Sequence, residues 1–217
     1  MSIGNIIVAI IHFVEYIIIK LGYPGVFFLM LLEGMLLPVP SEVVMPFSGY
    51  LAYYGMLDPF NRYASIIILL IVGTVGNLTG ALIAYAIGRY GGDPFIIKYG
   101  RYLMLNRDTI DKSKIWFEKY GKLSVFTTRF LPVFRTFISI PAGIANMDLG
   151  QFSLYTIAGD LVWDSILIYL GILLGSRWET ILGFFNNLTY IAIIAFIAAI
   201  IIVYYYLAIK PRKTLNK

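Results

Sequence analysis

Hydrophobic positions in this chain come in long blocks separated by short polar stretches, and the block lengths set the elements they predict. Residues 63–87 run for 25 positions without a charged side chain, and a helix across a hydrocarbon core takes about 20 residues. Residues 152–174 and 188–209 predict two more crossings, although the first of them carries Asp160 and Asp164. Residues 3–21 are helical in pattern, with Asn5, His12 and Glu15 loosely on one side. Such a segment either crosses a bilayer or lies along its surface. Gly22-Tyr23-Pro24-Gly25 follows as a turn.

Two blocks are interrupted. Residues 26–37 and 43–54 are apolar arms of 12 residues each, too short to cross alone. Between them lies Pro38-Val39-Pro40, which a helix cannot traverse undisturbed, because proline lacks the amide donor and clashes with the preceding turn. Ser41 is then placed to cap a new helix. The economical reading of residues 23–54 is a re-entrant hairpin, with Glu33 and Glu42 at its break. Residues 123–147 are interrupted in the same way by Pro132 and Pro141, with Arg129 and Arg135 at the break. A charge at the bilayer centre costs about 2.5–3.5 kcal/mol on insertion scales. Four of them facing lipid unpaired would cost on the order of 10 kcal/mol. Glu33, Glu42, Arg129 and Arg135 are therefore expected to face one another or a water-filled cavity, and to be retained for function.

Composition agrees with a membrane protein. The chain has 217 residues, of which 59% are hydrophobic and 13% charged, and a mean hydropathy of +0.81; soluble domains carry about 25% charge. The length suits a single transmembrane domain over residues 1–217. There is no cysteine, which excludes disulfides and thiolate metal sites, and one histidine, His12, which removes most zinc sites and histidine-based triads. No cleavable signal peptide is evident at the start.

Twelve of the 17 basic residues lie in residues 88–122 and 210–217. The first stretch predicts a solvent-facing loop whose second half, ending at Gly121, forms an amphipathic helix on the headgroups; the second is a basic tail. The positive-inside rule places both in the cytoplasm. Counting crossings backwards from a cytoplasmic C-terminus, the first hairpin enters from outside and the second from inside. The expected fold is all-α: a polytopic membrane protein with two opposed re-entrant hairpins in an inverted repeat and a site near the midplane.

These residues resemble the DedA family, within the SNARE-associated Golgi (VTT) superfamily, from about residue 23 to 175. The matching stretches are Glu33 followed by Pro38-x-Pro40-Ser41-Glu42 and Met45-Pro46-Phe47-Ser48-Gly49; Tyr85-x-x-Gly88-Arg89 with Gly91; and Arg129-Phe130-x-Pro132-x-x-Arg135-Thr136 with Pro141-Ala142-Gly143 and Met147. Trp163, Gly171 and Gly175 complete the pattern. The resemblance implies a cell-membrane protein that moves lipids across the bilayer, polyprenyl phosphate or phosphatidylethanolamine among them, in dependence on the proton-motive force. It implies functional roles for Glu33, Glu42, Arg129 and Arg135. Asn77 departs from the pattern, since many relatives carry an aspartate there, and no family role is carried over to it.

The residues themselves leave alternatives. On a continuous helix Arg129 and Arg135 point about 120° apart; a break at Pro132 lets both reach one cavity. Guanidinium forks match phosphate oxygens and stay protonated, so the pair either grips a lipid phosphate or pairs structurally with Glu33 and Glu42. Those two acids either bind coupling protons or act as fixed counter-ions, because burial disfavours a charged carboxyl and a nearby arginine favours it. Asp160 and Asp164, one turn apart on one face, are a secondary candidate for a proton relay or metal. Against this, Asp160 sits about two turns into its segment, and Trp163 beside it reads as an interface residue. His12 reads as interfacial, and Gly73, Gly76 and Gly80 as a small-residue ladder for close helix packing.

The leading functional expectation is a proton-coupled flippase- or scramblase-like transporter of a phosphate-bearing lipid. Arg129 and Arg135 would bind substrate, Glu33 and Glu42 protons, and Pro38, Pro40 and Pro132 would form the breaks. No cofactor, metal or nucleic acid is expected. A membrane-embedded lipid-phosphate phosphatase would need a nucleophile with a base, or metal ligands, and a structural membrane protein without transport is the other alternative.

Overall fold

The computed structural model describes residues 3–37, 39–57, 61–99, 107–131 and 134–177. The predicted last helix at 188–209, the basic tail at 210–217 and the break residues Pro38 and Pro132 lie outside the described residues. Among the described residues every regular element is helical: α1 (Ile3–Leu21), α2 (Tyr23–Gly34), α3 (Ser41–Tyr53), α4 (Arg62–Tyr99), α5 (Arg107–Thr128), α6 (Phe134–Phe137), α7 (Ser139–Ile144) and α8 (Leu149–Leu174), then a short 3-10 turn.

The central post is α4, against which α2, α3, α7 and α8 all pack. The glycine ladder makes this possible. A Cβ on Gly80 would run into the Leu31 carbonyl and the Gly34 backbone of α2, and one on Gly88 would run into the Ile140 carbonyl of α7. The backbones touch, as small residues allow. Two apolar clusters result. One joins α1, α2, α3, α4 and α8 through Val14, Ile18, Met30, Val43, Leu69 and Leu167. The other joins α4, α5, α7 and α8 through Tyr85, Phe117, Val125, Ala142 and Phe152.

Two stretches, Arg62–Gly91 and Leu149–Leu174, are long and apolar enough to cross a membrane. On α4 the outward stripe is Ile67, Ile71, Val75, Ile83 and Ile87, all exposed. An apolar outer face on an already packed helix fits a lipid surround. At 1.5 Å per residue, α2 and α3 are about 18 and 20 Å long, short of a hydrocarbon core of about 30 Å.

The first interruption falls where expected but closes differently. α2 ends at Gly34, before the prolines. The Leu36 N–H donates to the Glu33 carbonyl and the Leu37 N–H to the Leu32 carbonyl. This is a Schellman stop, with Leu36 in the left-handed region at φ 68° where glycine is usual. α7 stops in the same way, with Asn146 at φ 54°. Pro40, extended at φ −82°, ψ 119°, precedes α3 and accepts from Val43 and Val44 through its carbonyl. Ser41 is therefore the first helical residue rather than the predicted cap; its side chain is committed elsewhere.

Three boundaries move. α4 continues to Tyr99, into the stretch read as loop. α5 does not stop at Gly121 but runs to Thr128, because Gly121 is buried, with Phe117 and Met147 closing over it. α8 starts at Leu149, where the Asp148 carboxylate accepts from the Gln151 N–H at 2.9 Å. That cap adds a turn ahead of Phe152, so Asp160 lies near the middle of its helix.

Candidate functional site

Six segments deliver polar side chains to one buried cluster. Glu33 sits one residue before the end of α2, and Ser41 and Glu42 open α3. Thr74 and Asn77 lie one turn apart on α4, which aims both at the same neighbours. Arg129 follows the end of α5, and Arg135 lies in α6. Thr156, Asp160 and Asp164 recur every fourth residue along one face of α8. Glu42 is 8% exposed and the other nine 5% or less.

Of the four charges singled out from sequence, Arg135 and Glu33 meet directly. Arg135 Nη2 donates to Glu33 Oε1 and to Ser41 Oγ. Its guanidinium also stacks over the Trp163 ring, 5.8 Å from the centroid. Trp163 is buried; it supports the site rather than marking a membrane interface. The Ser41 backbone N–H donates to Glu33 Oε1 at 3.4 Å. Glu42 has no hydrogen-bond or ion-pair partner among the described residues. Its place in the first turn of α3 sets it at the positive end of the helix dipole.

Arg129 takes partners that sequence did not assign. Nη1 donates to Asn77 Oδ1 at 3.1 Å and lies 3.5 Å from Asp160 Oδ1; Nη2 donates to Thr156 Oγ1 at 3.0 Å. The stem of Arg129 runs over Gly159, where a Cβ would sit 2.6 Å from Arg129 Cγ. Asp164 Oδ2 accepts from Thr74 Oγ1 at 3.3 Å. Asn77, set aside from sequence, is central: Nδ2 donates to Glu33 Oε2 at 3.1 Å while Oδ1 takes the Arg129 bond. One line of contacts thus runs Arg129, Asn77, Glu33, Arg135.

The i, i+4 recurrence of Thr156, Asp160 and Asp164 was the available signal for the α8 ligands. Nothing in the sequence marks Ser41 or Thr74 as partners. Four carboxyls face two guanidiniums, so the cluster is electrically neutral only with two protons bound. Arg129 Nε and Asp160 Oδ2 remain without hydrogen-bond partners among the described residues. Among those residues no group of three or more His, Cys, Asp or Glu is arranged to hold a metal. His12 lies apart, exposed on α1, with Nδ1 3.1 Å from Glu15 Oε2. Arg89, of the second matching stretch, reaches the Tyr85 hydroxyl at 3.1 Å, and that hydroxyl donates to the Met147 carbonyl.

Residues 27–173 match the model of the VTT domain. Undecaprenyl phosphate transporter A of Bacillus subtilis is 37% identical, over 91% of this chain and 93% of that protein. An alkaline phosphatase-like protein of Lactococcus lactis is 38% identical over 84% of this chain and 86% of that protein. Protein DedA of Escherichia coli is 28% identical over 64% of this chain and 60% of that protein. No solved structure gives a significant match. With a family model covering most of its length and close relatives along nearly all of it, the chain belongs to the VTT-domain family of membrane proteins, to which the DedA proteins belong.

Proposed function

We propose that this protein carries a phosphate-bearing lipid, such as a polyprenyl phosphate or a phospholipid, between the leaflets of the cell membrane in company with protons. The observation that carries the reading is the burial of Arg129 and Arg135 together with Glu33, Asp160 and Asp164 in a membrane protein, with Glu33 hydrogen-bonded to Arg135 and, through Asn77, linked to Arg129. Intramembrane ionisable groups are expensive and mark transport pathways. The name of the Bacillus subtilis relative supports a lipid phosphate as cargo.

Charge balance motivates the coupling. A phosphate drawn to the arginines adds negative charge to a cluster that already has two more carboxyls than guanidiniums. Protonation of Glu33 releases Arg135 from its ion pair, and protonation of Glu42 removes a nearby repulsive charge. Protons and phosphate then occupy the site together and move in the same direction. Arg129 is 0% and Arg135 2% exposed, so the headgroup reaches them only when the segments around the breaks separate. The short α2, α3, α6 and α7 form two re-entrant hairpins entering from opposite faces, and movement of one against the other exposes the arginines alternately to each leaflet. The basic tail then lies in the cytoplasm.

The name of the Lactococcus lactis relative raises hydrolysis as a second reading. The hydroxyls at the arginines among the described residues are Ser41 Oγ, which accepts from Arg135, and Thr156 Oγ1, which accepts from Arg129. A nucleophile needs a base that accepts its proton, and this arrangement favours binding.

The test is reconstitution into liposomes with labelled polyprenyl phosphate and an imposed pH gradient. Lipid transfer should be faster with the proton flow than against it, with no inorganic phosphate released. Gradient-independent transfer removes the coupling, and released phosphate removes the carrier reading.

A further inference from the structure

Asn77 is 1% exposed at the middle of α4, and its amide orientation is forced by its neighbours. Ionised Glu33 offers only acceptors and the Arg129 guanidinium only donors. Nδ2 must face Glu33 and Oδ1 must face Arg129; the reversed amide would set oxygen against oxygen and N–H against N–H. The group between these two residues must donate on one side and accept on the other without adding charge.

A neutral carboxylic acid meets the same requirement, with one O–H donor and one carbonyl acceptor. An ionised carboxylate does not, since it would turn an oxygen toward Glu33 Oε2, which the Asn77 amide now meets at 3.1 Å. The other charged groups of the cluster are Arg135 from α6, Glu42 from α3, and Asp160 and Asp164 from α8; α7 contains none. With carboxyls already in excess there, another ionised one lacks a partner.

We propose that Asn77 is the positioning residue that couples Arg129 to Glu33, and that as an amide it keeps this link closed at every pH. A carboxyl in its place closes the link only when protonated. The assignment of substrate and proton roles to the two ends rests on the transport reading; the link itself does not.

The experiment compares wild type, Asn77→Asp and Asn77→Leu, purified in detergent, for thermal unfolding from about pH 5 to about pH 9, and in liposomes for exchange of labelled polyprenyl phosphate. Asn77→Asp should unfold with wild type at the acid end and at progressively lower temperature as pH rises. Its exchange should fall relative to wild type over the same range, to a tenth or less at the alkaline end. Asn77→Leu, which leaves Glu33 Oε2 and Arg129 Nη1 without this partner, should be impaired at every pH. Parallel wild-type and Asn77→Asp profiles, or an Asn77→Leu variant as stable and active as wild type, would overturn the proposal. If wild type itself exchanges no lipid, the transport reading fails, and the unfolding comparison still decides the role of Asn77.

Discussion

The Arg135 guanidinium donates to the Glu33 carboxylate across 102 positions of chain, and that contact ties the first interrupted segment to the second. Both groups are nearly inaccessible, so each depends on the other for its counter-charge. Removing one partner of a buried pair costs about 3–5 kcal/mol, because the other charge is left uncompensated. Glu33→Ala and Arg135→Ala should each destabilise by about that much, and the double variant by clearly less than the sum. A double-mutant cycle of unfolding in detergent measures the difference; additive losses would mean the contact carries no coupling.

Arg129 depends on shape as well as charge. Its two terminal nitrogens reach Asn77, Asp160 and Thr156 at once, which a lysine ammonium on a flexible stem cannot reproduce. Arg129→Lys should insert and fold, yet exchange lipid at about a tenth of the wild-type rate or less, a loss of ~1.4 kcal/mol or more in barrier terms. Initial rates in liposomes at matched protein density check this.

Gly159 makes room for that arginine. Gly159→Ala places a methyl group against the Arg129 stem, and overpacking of this kind costs about 1–3 kcal/mol. The variant should lose exchange together with stability, whereas Gly150→Ala, near the exposed start of α8, should change neither. Unfolding and exchange measured on the same preparations separate the two outcomes.

Leu36 is a stability reserve at the first break. A non-glycine residue in the left-handed region costs about 1–2 kcal/mol, and a Schellman stop prefers glycine. Leu36→Gly should raise the unfolding temperature, by up to about 1 kcal/mol in stability once the added freedom of the unfolded chain is counted. A lower unfolding temperature would mean that the Leu36 side chain contributes more than its backbone costs.

The helical fold, the interruption before Ser41 and the meeting of acids with arginines were legible because each follows from a large local penalty. Proline inside a helix and charge inside an apolar block leave few alternatives. What was hidden depends on register between helices. Arg129 meets Asp160 because α8 begins at Leu149 and turns the Thr156, Asp160 and Asp164 face toward α4 and the end of α5, and no periodicity along one helix reveals which face its neighbour presents. Asn77 departs from the aspartate of many relatives, so the resemblance carries no role over to it; only the positions of Glu33 and Arg129 show why an amide suits that place. Leu36 carries no turn residue to announce the end of α2, so the stop appeared to belong to the prolines.

The most direct measurement is leaflet exchange of a labelled polyprenyl phosphate in liposomes holding wild type, Arg129→Ala, Arg135→Ala or the double variant, each confirmed as inserted and monodisperse. The account predicts rapid exchange by wild type and rates at the protein-free background for all three variants. Exchange by the double variant at the wild-type rate would contradict it.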